Sequence, residues 1–313
     1  ASLDKLGIIC DQSPEVLEQM AAQYPGVTVT SSFWAVLNSP DIEALVLATP
    51  AESHYSLVRE ALRARKHVMV EKPMALSLEE GEELVDLAQE VRRVLMVGHL
   101  LEYHPAVEKM KELIDTGELG RIHYIYSNRL NLGKIRAEEN ILWSFAPHDI
   151  SVIIRLLGEM PVRVTALGGN YLRPGIADVT ISTLSFESGV KAHIFVSWLH
   201  PYKEQRLVVV GDRKMMAFND VEPKDKLLLY DRGIDWKDRL PVPRTQEAVV
   251  VPIANMEPLR VECQHFLSCI REGTAPRTDG VNGLNVLRIL KACQESLEKA
   301  GEPVFMKKDA PKS

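Results

Sequence analysis

Short apolar runs and amphipathic stretches alternate along the first third of the chain. The runs are rich in Val, Ile, Leu and Ala, as expected of strands buried on both faces, and the stretches repeat apolar residues at helical spacing. Strands are predicted at 6–10, 27–30, 44–48, 67–70 and 94–98, with helices that begin near residues 14, 33, 52 and 78. This alternation predicts parallel strands joined by helical crossovers, with the residues that follow the strands at one edge of the sheet.

Alternation with a period of two dominates the rest of the chain. In the stretch 122–132 it separates an apolar side from a polar side that includes Arg129 and Asn131. Further strands are predicted at 162–167, 179–186, 190–198, 206–210, 214–219, 227–230 and 248–251. One helix is predicted to begin at His104-Pro105 and to end near Gly117, and two others are predicted at 258–271 and 280–300. We therefore expect a doubly wound α/β domain at 1–98, followed by an α+β domain with a large, mainly antiparallel sheet at 99–313.

Composition narrows the class of function. With 37 basic and 43 acidic residues the formal net charge is −6, which offers no basic surface for nucleic acid or for an anionic membrane. No apolar run approaches the roughly 20 residues of a membrane helix, and the first residues show no signal-peptide pattern. The sequence therefore predicts a cytoplasmic protein that acts on small molecules.

Cysteines and histidines show no metal-binding pattern. Cys10, Cys263, Cys269 and Cys293 are scattered in a chain that is large enough to fold without disulfides. The spacing of His99, His104 and His148 also matches no zinc site. We predict four free thiols and no metal centre.

The first candidate for chemistry is the stretch Val70-Glu71-Lys72-Pro73, which ends a predicted buried strand. Ligands of doubly wound sheets collect beyond the carboxyl ends of the strands, so Lys72 is placed at the expected mouth of a site. Its ammonium can donate hydrogen bonds to a hydroxyl, a ribose or a carboxamide. The alternative is an ordinary surface pair of Glu71 and Lys72.

The second candidate is His148, in Pro147-His148-Asp149 at the start of an apolar stripe. The pattern predicts a buried helix with His148 in its first turn, where the helix dipole disfavours an imidazolium and keeps the ring able to accept a proton. A neutral base and a fixed ammonium suit alcohol oxidation. The alternative is a structural pair, His148 and Asp149, that satisfies backbone groups of the first helical turn.

A glycine-rich phosphate-binding turn is missing from the sequence. Nicotinamide enzymes normally carry G-x-G-x-x-G between their first strand and first helix, and an acid about 20 residues later that binds the ribose hydroxyls. This chain has no such turn, but Asp11 stands at the end of its first predicted strand. The expectation is a Rossmann domain truncated at its N-terminus by about 30 residues, which is one strand, turn and helix.

Together these motifs resemble the Gfo/Idh/MocA oxidoreductases. The resemblance rests on V-E-K-P at Val70–Pro73, A-T-P-A-E-S-H at Ala48–His54, G-H at Gly98-His99 and P-H-D-I at Pro147–Ile150. It implies that Lys72 and His148 are catalytic and flank the substrate, and that a pyridine dinucleotide lies across the first domain. It further implies that Asp11 binds the adenosine ribose, favouring NAD over NADP, and that Thr49, Pro50, His54, Glu71 and Lys72 line the cofactor.

A more particular resemblance lies in the stretch Tyr126–Gly133. It is similar to members that oxidise UDP-linked N-acetylhexosamines at carbon 3 in surface-polysaccharide pathways, and it implies that Arg129, Asn131 and His148 contact the sugar or nucleotide-sugar substrate. The family often has an acid four residues before the histidine. Here Ser144 stands in that place, which leaves orientation of the ring to water, Asp149 or the substrate. Family members suggest a homodimer or homotetramer.

Two other classes of function stay open. The chain could be a sugar-nucleotide-binding protein that has lost its cofactor, or an inactive fragment of an oxidoreductase. Alternatively, its antiparallel sheet could serve only assembly. Cofactor binding separates these possibilities from a dehydrogenase.

Overall fold

A computed structural model describes residues 6–133, 135–136 and 139–306 of the 313-residue chain. The chain forms two compact units. The first contains the described residues up to Gly98 with Arg260–Leu284, and the second contains His99–Leu259 with the described residues from Asn285 onward. No helix within the described residues is long and apolar enough to cross a lipid bilayer.

The segment Arg260–Leu284 joins the first unit, although it is distant in sequence. The Val97 amide donates to the Thr278 carbonyl at 2.8 Å, and the Thr278 hydroxyl donates to the Val97 carbonyl at 2.7 Å. A single boundary at residue 98, as the sequence suggested, does not account for this return of the chain.

The first unit consists of parallel strands in two sheets, with helices between the strands. Strand β1 (Ile8–Cys10) pairs with β2 (Thr28–Thr30), and β3 (Ala44–Leu47), β4 (His67–Glu71) and β5 (Leu95–Gly98) pair in that order. The helices are α1 (Pro14–Gln23), α2 (Phe33–Asn38), α3 (Ala51–Arg63) and α4 (Leu78–Val91). The predicted alternation of strand and helix is therefore confirmed.

Local sequence signals explain where these helices begin. Ser13 caps α1 by accepting from the Val16 amide, and Pro14 takes the first helical position, where its missing N–H costs nothing. Ser77 and Glu80 form a reciprocal capping box at α4. The apolar stripe of α3 packs against β3, β4 and β5 in one core, to which it contributes the fully buried Val58, Ala61 and Leu62.

The second unit is dominated by a nine-stranded sheet. Its strands are β6 (Ile122–Leu132), β7 (Pro161–Gly169), β8 (Val179–Phe186), β9 (Lys191–Ser197), β10 (Leu199–Gly211), β11 (Met215–Asn219), β12 (Leu227–Lys237), β13 (Leu240–Val250) and β14 (Val304–Phe305). Their order is β13-β12-β11-β10-β6-β9-β8-β7-β14, with β6 and β9 parallel and the other neighbours antiparallel. The remaining elements of this unit are a 3-10 turn (Leu100–Tyr103), α5 (Pro105–Asp115) and α6 (Ile141–Leu157). Helix α7 (Pro258–Glu272) belongs almost entirely to the first unit, and α8 (Gly280–Glu298) begins in the first unit and ends in the second.

The two faces of this sheet have different surroundings. On one face, β6 contributes the fully buried Ile125 to a core shared with α5 and α6. The opposite face, here called the open face, exposes large apolar side chains, among them Tyr124, Leu167 and Ile181. The sheet therefore covers a core on one side and presents an apolar surface on the other.

Strands β12 and β13 continue past the sheet as a hairpin arm, residues 231–245. Strand β11 pairs with β12 only between Leu227 and Tyr230, so the arm is a two-stranded ribbon. Its two sides differ. Arg244 forms ion pairs with Asp231 and Asp235 on one side, whereas Ile234 and Trp236 stand exposed on the other.

Candidate active site

The carboxyl ends of three strands meet at one edge of the first unit. In the register of the sheet Leu47 lies beside Val70, and Glu71 lies beside Gly98. Thr49 follows β3, and Lys72 follows β4, so the structure brings these two predicted site residues to the same edge. Asp11 follows β1, which belongs to the other parallel sheet.

Glu71 and Lys72 are half-buried at the end of β4. Gly98 leaves room for the carboxylate, because a Cβ at that position would lie 3.2 Å from Glu71 Oε2. A bulkier residue at position 98 would therefore displace Glu71. The peptide bond between Lys72 and Pro73 is cis. Lys72 directly follows β4, which is enclosed by β3 and β5.

His54 ties two strand ends together. Its ring is 1% exposed on α3, with Nε2 2.8 Å from the Thr49 carbonyl and Nδ1 2.7 Å from the Pro73 carbonyl. Carbonyl oxygens only accept, so the ring can donate to either of them through the nitrogen that carries a proton. His54 therefore supports the site by holding its backbone, and Thr49 and Pro50 are left exposed above it.

Asp11 has a defined orientation after β1. Its amide donates to the Thr30 carbonyl at 3.2 Å, and its Oδ1 accepts from the Ser13 amide at 2.8 Å. A carboxylate held in this way fits the hydroxyls of a ribose, and the edge at Lys72 fits a nicotinamide and its ribose. The described residues provide no glycine-rich turn for the pyrophosphate, and among them no strand pairs with the second edge of β1 or of β3. The described residues therefore fit the ribose and nicotinamide parts of a dinucleotide.

The expected position of His148 in its helix is wrong. Helix α6 begins at Ile141, where the Asn140 side chain accepts from the Trp143 amide, so His148 lies in the third turn of the helix. Pro147, which precedes the predicted start of this helix, lies inside it. Because the dipole effect fades beyond the first turn, it gives no reason for a neutral imidazole at this position.

Asp149, the residue after His148, is tied to the sheet. It is 3% exposed; Arg129 donates to it through Nε (Oδ2, 3.0 Å) and Nη2 (Oδ1, 3.2 Å), and Ser127 donates through Oγ (Oδ1, 2.6 Å). Ser127 and Arg129 lie two residues apart on β6, so both point to the helix side. The alternation along β6 therefore predicted the polar side correctly, although it could not show that Asp149 was its partner.

Charges around this pair reinforce it. Burial would lower the pKa of Arg129, but the charge and hydrogen bonds of Asp149, with a smaller effect from Asp220, outweigh burial and raise that pKa. Asp220 also forms an ion pair with Lys226 and lies 3.6 Å from His104. Burial lowers the pKa of His104, whose Nδ1 caps α5 by accepting from the Ala106 amide.

Two further polar contacts of α6 were not anticipated. Ser151 donates to the buried carboxylate of Glu102, and Arg155 donates to the Glu102 carbonyl and pairs with Glu108 at 3.1 Å. The only sequence signal for them was the presence of polar residues on a strongly apolar helix. These contacts hold α6 to the 3-10 turn and to α5.

Asn131 differs from Arg129 in its hydrogen bonding. Its Oδ1 is shielded from solvent and accepts from no described donor, and its amide lies against Gly133, where a Cβ would approach within 2.6 Å. An uncommitted amide oxygen can accept from a ligand hydroxyl or N–H. Of the two predicted substrate contacts, Asn131 is the one with this capacity.

None of the four cysteines forms a disulfide, as predicted. Burial raises the pKa of Cys293 to about 12. Within the described parts of the chain, no three His, Cys, Asp or Glu side chains are placed to hold a metal ion.

Two family profiles match the chain. The first, "Oxidoreductase family, NAD-binding Rossmann fold", covers residues 2–99, and the second, "GFO/IDH/MocA C-terminal domain", covers residues 107–217. The two profiles match separate parts of the chain. The matches extend over most of the chain.

Relatives and solved structures agree with the profiles. The UDP-N-acetylglucosamine 3-dehydrogenase of Acidithiobacillus ferrooxidans is 25% identical over 92% of this chain and 88% of the relative, and the scyllo-inositol 2-dehydrogenase (NAD(+)) of Bacillus subtilis is 26% identical over 96% and 88%. The solved structure of the former enzyme superposes with a TM-score of 0.81 at 24% identity, covering 94% of this chain and 90% of that one. Levoglucosan dehydrogenase, solved with NADH and levoglucosan, gives 0.83 at 23% identity, covering 97% and 90%.

Proposed function

Because the chain belongs to the Gfo/Idh/MocA family of NAD-binding oxidoreductases, we propose that it oxidises a sugar hydroxyl with NAD, at carbon 3 of a nucleotide-linked N-acetylhexosamine. The observation that carries the proposal is Lys72, held between Glu71 and Pro73 at the edge where β3, β4 and β5 end. An ammonium at the carboxyl ends of parallel strands lies where such sheets bind their ligands.

The reaction divides between two residues and the cofactor. His148 accepts the proton of the hydroxyl, and Lys72 donates a hydrogen bond to the same oxygen as negative charge develops on it. Bound NAD would supply the acceptor for the hydride that leaves the carbon bearing this oxygen. A ketone and a protonated His148 result, and the reverse reaction uses the same groups in the opposite order.

The cofactor residues follow from the edge that they occupy. We propose that Asp11 binds the adenosine ribose, and that Thr49, Pro50, Glu71 and Lys72 line the nicotinamide half of the dinucleotide. His54 acts through the backbone carbonyls that it holds. A carboxylate at position 11 repels a 2′-phosphate, which favours NAD over NADP.

The substrate class rests on the stretch Tyr126–Gly133 and on the similarity to an enzyme named for UDP-N-acetylglucosamine. Asn131 supports this assignment, because its buried Oδ1 accepts from no described donor and suits an amide N–H or a hydroxyl of an N-acetylated sugar. His148 is the second proposed contact with the sugar.

The second candidate function is that of a protein that binds a sugar nucleotide without NAD. Cofactor binding decides between the two functions.

Calorimetric titration with NADH, alone and with UDP-N-acetylglucosamine, tests the proposed function. We expect NADH to bind with a micromolar dissociation constant and more tightly than NADPH, and we expect Asp11→Asn to reduce that preference, because the carboxylate is what repels the 2′-phosphate. Asp41→Asn, an exposed acid of the same unit, is the matched control. If the chain binds the sugar nucleotide but not NADH, the second function, binding without a cofactor, is established instead.

We further propose that copies of the chain assemble through the open face of the large sheet. Nine strands about 4.8 Å apart make a face roughly 40 Å wide, which is wide enough for the about 800 Å² that each partner of a standard interface buries. A groove of about 590 Å³ lies on this face, lined by Tyr126, Val208 and Leu228 among others. The hairpin arm extends the same side with Ile234 and Trp236.

The arm provides a test of this assembly. Trp236 is 70% exposed on a ribbon that would be marginally stable by itself, so a second copy is expected to cover it. Trp236→Ser should raise the dimer dissociation constant by at least about tenfold in sedimentation equilibrium. Trp34→Ser, which alters an exposed tryptophan of the first unit, should leave it unchanged. If Trp236→Ser and Trp34→Ser gave the same dimer dissociation constant, the arm would be excluded from the interface.

A further inference from the structure

We propose that Arg129 is a positioning residue: it holds the carboxylate of Asp149 and thereby sets the orientation of His148, rather than contacting the substrate itself. This inference deepens the proposed function, in which His148 is the base. It assigns to Arg129, Asp149 and Ser127 a task that the sequence had left to water, Asp149 or the substrate.

The guanidinium of Arg129 binds Asp149 of helix α6. Two of its nitrogens donate to the two oxygens of Asp149, and the side chains of the pair are 12% and 4% exposed. A cavity of about 10 Å³ beside the pair, lined by Ser127, Val152 and Phe218 among others, has room for a single water. A sugar nucleotide does not fit there.

The geometry of the helix links Asp149 to its neighbour. Successive residues of an α-helix are rotated by about 100°, so a side chain fixed at position 149 also fixes the direction of the side chain at position 148. Asp149 is fixed against two residues of one strand, Ser127 and Arg129. Rotation of α6, or a shift along its axis, would break these bonds.

Pro147 makes the contact between Asp149 and strand β6 more important for the position of the helix. Proline has no N–H, so the helix lacks the hydrogen bond from residue 147 to the Trp143 carbonyl one turn earlier. The helix is therefore less constrained by its own backbone immediately before His148. Beyond His148, the bonds of Ser151 and Arg155 with the segment around Glu102 hold the next turns.

The charges of the pair balance each other. Charged groups around it include Asp149 and Arg155 of α6, Arg129 of β6, Glu102 of the 3-10 turn, Glu108 of α5 and Asp220 after β11. Removing Arg129 alone leaves the negative charge of Asp149, the residue after His148 in the chain, uncompensated, and removing the charge of Asp149 alone leaves the positive charge of Arg129. We therefore expect the two changes to act on His148 with opposite sign.

The experiment measures the titration of the His148 ring by NMR in the full-length chain, with the His148→Asn spectrum identifying its signals. Asp149→Asn is expected to lower the titration midpoint by about one pH unit, and Arg129→Met to raise it by a similar amount. The double variant should return to within a few tenths of a unit of the parent chain. Arg163→Met, an exposed arginine of the same sheet, is the matched control and should cause no shift.

Several outcomes would overturn the inference. Single variants with unchanged midpoints, or with shifts in the same direction, would show that the pair does not act on His148. An increased KM for UDP-N-acetylglucosamine in Arg129→Met, with an unaltered midpoint, would make Arg129 a substrate contact. The titration requires neither NAD nor turnover. If the parent chain were inactive, the proposed function would be contradicted, but the midpoints would still decide whether Arg129 and Asp149 act on His148.

Arg129→Lys covers the case in which a single variant does not fold. It keeps the charge but replaces the two-pronged contact by one ammonium. The His148 midpoint should stay within a few tenths of a unit, while kcat falls about tenfold at unchanged KM because the ring is less well oriented. An unchanged kcat in Arg129→Lys would contradict a positioning role.

Discussion

Replacing Lys72 by alanine is expected to reduce kcat by about 10²–10³-fold, the usual effect of removing one donor that stabilises developing negative charge. The side chain is half-buried at the end of β4, and the adjoining strand is held by its register with β3 and β5. Loss of the ammonium should therefore leave the fold intact, with a change in stability within about 1 kcal/mol. Steady-state turnover with NAD and thermal unfolding of the same samples measure the two effects.

Two other lysine variants sharpen this test. Lys72→Arg keeps the charge but exchanges a compact ammonium for a planar fork, and it should recover little of the lost turnover. Lys109→Ala removes a half-buried lysine of the second unit that pairs with Glu112, and it should change neither turnover nor stability measurably. Turnover retained by Lys72→Ala would remove Lys72 from the mechanism.

Replacing His148 by asparagine is expected to reduce kcat by about 10²–10⁴-fold, because asparagine cannot accept the hydroxyl proton. In the parent chain, oxidation should fall at acidic pH, since protonation of His148 removes the lone pair that it needs. This acidic limb should be absent from the residual activity of His148→Asn. Rate profiles of kcat/KM against pH for both proteins provide the measurement.

His123→Asn is the matched control for this experiment. His123 is an exposed histidine on β6, in the same unit as His148. Its replacement should leave the acidic limb in place. If the limb instead survives in His148→Asn, another group is the base, and the assignment of His148 fails.

Local patterns were sufficient where neighbours in sequence decide the structure. The strand-helix alternation, the helix starts near residues 14 and 78 and the bounds of β6 all agree with the structure, because hydrophobic period and capping depend on residues within one or two turns. The same patterns placed Lys72 at a strand exit. The parallel register then brought it to one edge with Thr49.

Two elements that contain prolines begin earlier than the patterns predicted. The apolar stripe after Pro147 suggested a helix start there, whereas α6 begins at Ile141 with Asn140 as its cap. The strand predicted at 248–251 begins at Leu240 and includes Pro241 and Pro243. Strand β13 is at the edge of the sheet, where a missing N–H costs no bond in the ladder.

Periodicity and motifs along the chain were sufficient for the fold class. They also suggested a boundary near residue 98 and the two residues that we propose for catalysis. Only the tertiary structure decided that Arg129 binds Asp149, that His54 joins two strand ends and that Thr278 closes on Val97. These contacts join residues 20, 19 and 181 positions apart. Which polar groups meet across such separations depends on how buried donors and acceptors are satisfied once the strands and helices have packed.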